Sequence, residues 1–164
     1  MESINKVTLI SSDNEKYEIS SKAAKRSTVI SNVLESYPED SEIPIPNVTS
    51  KILKVIIEYL NHYENEEPSI IEKPLKNNFR ECVNEWDYDF VNKDKDTIFE
   101  IILGANYMDI KPLLEVTCAK IASMINGKTT EEIREIFDIE NDFSPEEEKQ
   151  IQEEDKYITL IRDE

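Results

Sequence analysis

The sequence predicts a mixed α/β (α+β) fold, with a small sheet at the N-terminus and helices over most of the remaining chain. Three observations carry this prediction. Apolar and polar residues alternate only near the start, around Val7 and Leu9 and again at Tyr17 and Ile19. From Asp96 onward, large apolar residues recur at helical spacing. That second half is also punctuated by helix start and stop signals: two capping boxes, a proline in a first turn and a glycine after an apolar run.

Taken in order, Ile4, Val7 and Leu9 read as a strand, residues 11–16 (SSDNEK) as a turn, and Tyr17-Glu18-Ile19 as the returning strand of a hairpin. Two short helices follow, one over 21–25 and one after Ser27 carrying Val29, Ile30, Val33 and Leu34, which Pro38 ends. Ile43-Pro44-Ile45-Pro46 is extended, because each proline fixes its own φ and keeps the residue before it out of the α region. Thr49 is placed to cap the next helix, in which Ile52, Leu53, Ile56, Ile57 and Leu60 form a broad apolar stripe. Residues 64–82 are acidic, then polar, with two prolines, and read as a mobile loop. Order resumes at Trp86, Tyr88 and Phe90.

The helix carrying Ile98, Phe99, Ile101, Ile102, Leu103 and Ala105 is apolar over more than half its circumference. One face can pack on the first half of the chain, and the other needs a second cover. Asp109 is placed to cap the following helix, with Pro112 in its first turn, and Gly127 stops that helix in the left-handed region. Thr129 with Glu132, and Ser144 with Glu147, then open two further helices, Pro145 being the first helical residue of the second. Residues 131–164 hold 14 acidic and 4 basic side chains, yet Ile133, Ile136, Phe137, Ile139, Phe143, Tyr157, Ile158, Leu160 and Ile161 lie among them. Narrow apolar stripes on the short, well-capped helices of 131–164, with no third layer to cover them, and the uncovered face of the helix from Ile98 point to a surface, over 98–157, completed by another chain. A fold-back onto the preceding helices with an acidic tail is the alternative.

Composition excludes several classes. The net charge of -17 opposes binding to nucleic acid or to an anionic membrane surface. Cys82 and Cys118 are too few for a disulfide scaffold and lack metal-ligand spacing. No apolar run approaches a membrane span and the start MESINKVTLI has no signal-peptide pattern, so cytosol or nucleus is expected. His62 is the only histidine and sits at the end of an apolar helix, and Cys118 lies among apolar residues in mid-helix, so a cysteine-dependent enzyme finds no nucleophile motif. Asn126-Gly-Lys-Thr129 lacks the first glycine and the preceding strand of a phosphate loop. The stretch from Asp138 to Asp142 lacks an EF-hand's spaced ligands. No catalytic, cofactor or metal residues are expected.

The segments IPIPNV (43–48), ILKVIIEYLNHY (52–63), EWDYDFV (85–91) and, most specifically, residues 97–148 resemble the Skp adaptor family of the SCF (Skp–cullin–F-box) ubiquitin ligases. The resemblance implies a BTB/POZ-type fold over 1–126 and two family-specific C-terminal helices in 127–164. It implies a non-catalytic adaptor that bridges a cullin scaffold to F-box substrate receptors. The cullin contact would be Asn106 and Tyr107. The F-box face would include Phe99, Ile102, Leu114, Cys118, Ile121, Ile125, Ile133, Phe137, Ile139 and Phe143, and Tyr157 from the last helix. A BTB-type face can also support a homodimer in the free adaptor. The alternative is a BTB-type adaptor of another assembly, such as an elongin-C-like role, against which the two capped helices after Gly127 count. The sequence departs from the family pattern where Tyr157 replaces a tryptophan, and tyrosine buries less area. Gly104 stands in place of the usual alanine, a change that loosens a helix by about 1 kcal/mol.

Overall fold

The computed structural model describes residues 6–39, 41–73, 78–140 and 144–162, with side chains of the last helix described as far as residue 154. Ile4 lies outside these residues. Strands β1 (Lys6–Ile10) and β2 (Lys16–Ser20) form the expected antiparallel hairpin, with Leu9 opposite Tyr17 and Val7 opposite Ile19. Their turn places Asn14 at φ 63°, a left-handed conformation that asparagine tolerates. Helices α1 (Ser21–Ala24) and α2 (Thr28–Ser36) follow, capped by the side chains of Ser20 and Ser27. Strand β3 (Glu42–Pro44) returns parallel to β1, giving the order β2-β1-β3. Pro44, lacking a backbone N–H, is accommodated because β3 is an edge strand.

Among the described residues, five helices follow β3 up to residue 126: α3 (Ser50–His62), α4 (Phe79–Cys82), α5 (Glu85–Phe90), α6 (Lys95–Met108) and α7 (Lys111–Ile125). The chain divides into two units, Met1–Asn126 and Gly127–Glu164. The second holds α8 (Thr130–Phe137) and α9 (Pro145–Arg162). Alternation in β1 and the stripes of α3 and α6 supply the core of the first unit: Val7, Leu9, Ile52, Leu53, Ile56, Leu60, Ile98 and Ile101 are all buried. Burying each such side chain contributes on the order of 1.5–3 kcal/mol.

Two caps differ from expectation. Thr49 occupies the N-cap position of α3 but its side chain makes no capping bond. Asp13 from the β1–β2 turn does this instead, accepting from the Ser50 backbone N–H at 2.8 Å and the Ser50 hydroxyl at 2.5 Å. Hydrogen bonds from Ser50, and from Ser11, pull the Asp13 carboxyl down to about 2. Asp109 is not the cap of α7. It closes α6 at φ 51°, its N–H bonded to the carbonyls of Ala105 and Asn106. Asn and Asp tolerate the left-handed region, so a residue that sequence places at a helix start can equally end the previous helix. The N-cap of α7 is Ile110, without a side-chain bond.

Gly104 also acquires a different meaning. It is buried, and a Cβ there would stand 2.7 Å from Cδ1 of Ile56 and 3.5 Å from Cγ2 of Ile52. Glycine thus allows α6 to approach α3 at this point rather than merely loosening the helix. Within residues 64–82, Ile71 and Phe79 are buried and α4 is the only regular element among the described residues. Asp87 is buried beside Tyr63, whose hydroxyl donates to it at 2.8 Å, and its own N–H donates to Asn84. Burial raises the Asp87 carboxyl and pushes the Tyr63 phenol up to about 12.

Two outcomes follow. Gly104→Ala should destabilise the chain by up to about 2 kcal/mol, because the fully buried Ile56 must shift its terminal methyl to admit the new Cβ. In an Ile56→Val background, which removes that methyl, the same change should become neutral or stabilising by about 1 kcal/mol. Denaturant unfolding of the four proteins checks this, and equal effects in both backgrounds would refute the close approach. The depressed Asp13 carboxyl contributes stability that is complete above its unfolded value near ~4 and is lost as pH falls toward about 2. Asp13→Ala should therefore melt below wild type at neutral pH, with the gap closing across that acid window in thermal melts.

Candidate protein-docking surfaces

The C-terminal end of α6 is held by one buried serine. The hydroxyl of Ser27 accepts from the Ile30 N–H at 3.3 Å, capping α2, and donates to the Met108 carbonyl at 2.5 Å. The Asp109 carbonyl accepts from the Thr28 N–H at 3.2 Å, and the Ile110 N–H returns to Ala105 at 2.9 Å. Met108 and Ile110 are buried at the turn itself. Asn106 and Tyr107 are thereby presented outward from a fixed helix end, with Tyr107 36% exposed.

Tyr107 completes a row. Phe99, Leu103 and Tyr107 fall at i, i+4 and i+8 of α6, one helical face, and are 40%, 69% and 36% exposed. Leu103 was absent from the residues that sequence placed on either partner surface, although its spacing from Phe99 and Tyr107 was the available signal. It borders a hollow of about 170 Å³ with Val48, Thr49, Ile52, Glu100 and Gly104.

On α7 the structure separates the expected residues. Leu114 and Ile121, with Ile102 of α6, are half-buried and pack against the core. Cys118 and Ile125 are exposed. Thr117 turns inward and returns its hydroxyl to the Leu113 carbonyl at 2.7 Å, so the polar residue in mid-helix is satisfied locally. His62 stacks on Trp86 with ring centroids 3.6 Å apart and meets Tyr63 edge-on. Among the described residues, no three His, Cys, Asp or Glu side chains group as a metal site would require.

The second unit shows both capping boxes as read from sequence. Glu132 N–H donates to the Thr129 hydroxyl and Thr129 N–H to Glu132, and the Ser144–Glu147 pair repeats this at 3.2 and 2.9 Å. Three glutamates in the first turn of α9 complement its dipole. Helix α8 has no buried residue: Ile133 and Phe137 are half-buried, and Ile139 beyond it is 54% exposed. Asp138 ends α8 at φ 51°, with Ile139 N–H returning to the Arg134 carbonyl, and the Arg134 side chain reaches Glu148 at 3.5 Å. Phe143 and the side chain of Tyr157 lie outside the described residues.

A small mixed sheet under helices, carrying apolar rows beyond its own core and extended by two capped helices, defines a POZ-type protein-interaction module. Comparison with known proteins makes this specific. Residues 5–65 match the tetramerisation domain of the Skp1 family and residues 111–158 its dimerisation domain. The chain is 47% identical over 154 residues to the S-phase kinase-associated protein 1 homolog of Tetrahymena thermophila, covering 93% of each. It is 48% identical to the SCF ubiquitin ligase complex protein SKP1a of Dictyostelium discoideum, over 92% of this chain and 94% of that one. It is 42% identical to the Suppressor of kinetochore protein 1 of Schizosaccharomyces pombe, over 94% and 98%. The chain belongs to the Skp1 family.

Replacing Ser27 by alanine should cost roughly 2–4 kcal/mol, the loss of a helix cap together with a buried carbonyl left without its donor. Denaturant unfolding measures it. A cost below about 1 kcal/mol would show that the Met108 carbonyl finds another donor.

Proposed function

We propose that this chain is the adaptor subunit of an SCF-type ubiquitin ligase, a non-catalytic bridge between a cullin scaffold and F-box substrate receptors. Membership of the Skp1 family, with relatives named as SCF complex proteins, supports this reading. The observation that carries it on this chain is the row of solvent-exposed apolar side chains on α6 and α7 in a protein of net charge -17. Leu103, Cys118 and Ile125 stand exposed on a highly charged surface, which supports a face that another chain covers.

In this reading Asn106 and Tyr107, at the braced end of α6, contact the cullin, and Leu103 joins them. The F-box surface draws on Phe99, Ile102, Leu114, Cys118, Ile121 and Ile125 in the first unit. Ile133, Phe137, Ile139, Phe143 and Tyr157 serve in the second. Of the first group, Phe99, Cys118 and Ile125 make the direct contacts, while Ile102, Leu114 and Ile121 shape the surface from half-buried positions. The ubiquitin chemistry belongs to other subunits. The adaptor works in cytoplasm and nucleus, and the free chain can pair with a second copy through its BTB-type face.

The double change Asn106→Ala, Tyr107→Ala should reduce cullin capture by at least about tenfold, since a buried tyrosine at an interface is commonly worth over 1 kcal/mol. F-box capture should be unaffected. Co-purification of both partners on wild-type and variant chains checks this, and parallel loss of both, or no loss of either, would overturn the two-surface reading.

A further inference from the structure

The four residues after Tyr63 are tied in turn to the region of α1. The Ser20 hydroxyl donates to the Glu64 carboxylate at 2.5 Å, and the Lys22 ammonium to the Asn65 side chain at 2.7 Å. Arg26 then grips two neighbours, donating to the Glu66 backbone carbonyl at 2.8 Å and to the Glu67 carboxylate at 2.9 Å. Further on, the Asn84 amide donates to Ser69 at 3.2 Å, Ile71 is buried, and Lys73 pairs with Glu115 of α7 at 3.3 Å. Residues 64–73 thus run from α1 to α7, tied near α1 through Arg26 and held at the far end by the burial of Ile71, with an exposed Lys73–Glu115 pair beside it.

The far end of this segment forms part of a groove. Ile71 and Lys73 make one side, and the other is α7, with Cys118, Ala122 and Ile125, over a volume of about 540 Å³. Glu115, Cys118, Ala119 and Ala122 share one helical face. The two alanines are small enough to leave room above them. Lys73 and Glu115 neutralise each other at the rim, so the groove offers no net charge to its occupant. The groove is continuous with Cys118 and Ile125 of the F-box surface proposed above, and both stay exposed while Ile71 is in place.

We propose that residues 64–73 are a fixed strap that builds one wall of an apolar subsite on α7, and that this subsite takes an aliphatic or aromatic side chain of the F-box partner. The inference rests on the reading that α7 meets the F-box protein. It makes Ile71, buried at the base of that wall, a positioning residue that sets the wall's shape. It makes Arg26, which does not line the groove, a positioning residue that acts through Glu66 and Glu67. The strap is a wall and not a lid, because the groove is open with the strap in place.

The test uses full-length protein and a recombinant F-box domain that binds the wild-type chain. Ile71→Ser and, separately, Arg26→Ala should each weaken that binding about five-fold by calorimetry, the scale of a contact at the edge of an interface. Ile71→Val should stay near wild type, and cullin binding should be unchanged in all three, which separates a local effect from misfolding. In the free chain, alkylation of Cys118 followed at peptide level should run faster in Arg26→Ala and Ile71→Ser than in wild type. Unchanged F-box affinity overturns the proposal, and tighter binding shows that the strap is a lid. Parallel loss of cullin binding reduces it to general destabilisation. If no F-box domain binds the wild-type chain, the proposed function fails, and the alkylation rates still decide whether Arg26 holds the strap: equal rates would refute it.

Discussion

The arrangement of the first unit depends on a buried hydroxyl. Ser27 is wholly buried, and its one oxygen satisfies the start of α2 and the end of α6 together. A hydroxyl can do this because it accepts and donates at once. The bond spans 81 residues of sequence, so it converts two local helix boundaries into one tertiary joint. From that joint α6 runs back under α3, and α7 leaves in a direction set by the left-handed residue Asp109. The outward end of α6, with Asn106 and Tyr107, takes its position from these two constraints.

Most of the element sequence was legible in the chain itself, because it rests on local rules. Alternation gave β1 and β2, the prolines gave the extended segment before α3, and both capping boxes closed as their spacing implied. What local rules could not reach was any choice made by tertiary contact. Thr49 had the right identity for a cap, yet Asp13 took that role from another part of the chain. Asp109 fitted two roles equally well, and the Thr28 N–H bonded to its carbonyl belongs to a helix far away in sequence. Gly104 could be assigned a helical cost from propensity alone, whereas its steric role needed the position of Ile56.

The docking surface was legible by type more than by residue. The family resemblance implied apolar partner residues on α6, α7 and the helices after Gly127, and the structure sorts those it describes by exposure. Spacing does not say which of them face solvent, so Ile102, Leu114 and Ile121 were grouped with Cys118 and Ile125 although they pack on the core. Leu103 escaped notice for the opposite reason, since an apolar residue within a strongly apolar helix looks like core. Its 69% exposure is visible only once α3 is seen to occupy the Gly104 side of the helix. The same principle explains the strap: ion pairs and amide bonds between residues some 40 positions apart leave no periodic trace.

The capping boxes of the second unit have a kinetic consequence. Each closes a helix end with groups three residues apart, so α8 and the start of α9 need no distant contact to form. The support α8 receives from elsewhere is partial: Ile133 and Phe137 are half-buried and Arg134 reaches Glu148, and a helix of eight residues is marginal in water on its own. Such a segment takes the shape of its first turn from its own side chains. A receptor that settles on it recovers little ordering cost from the helix itself, and can leave without a large barrier.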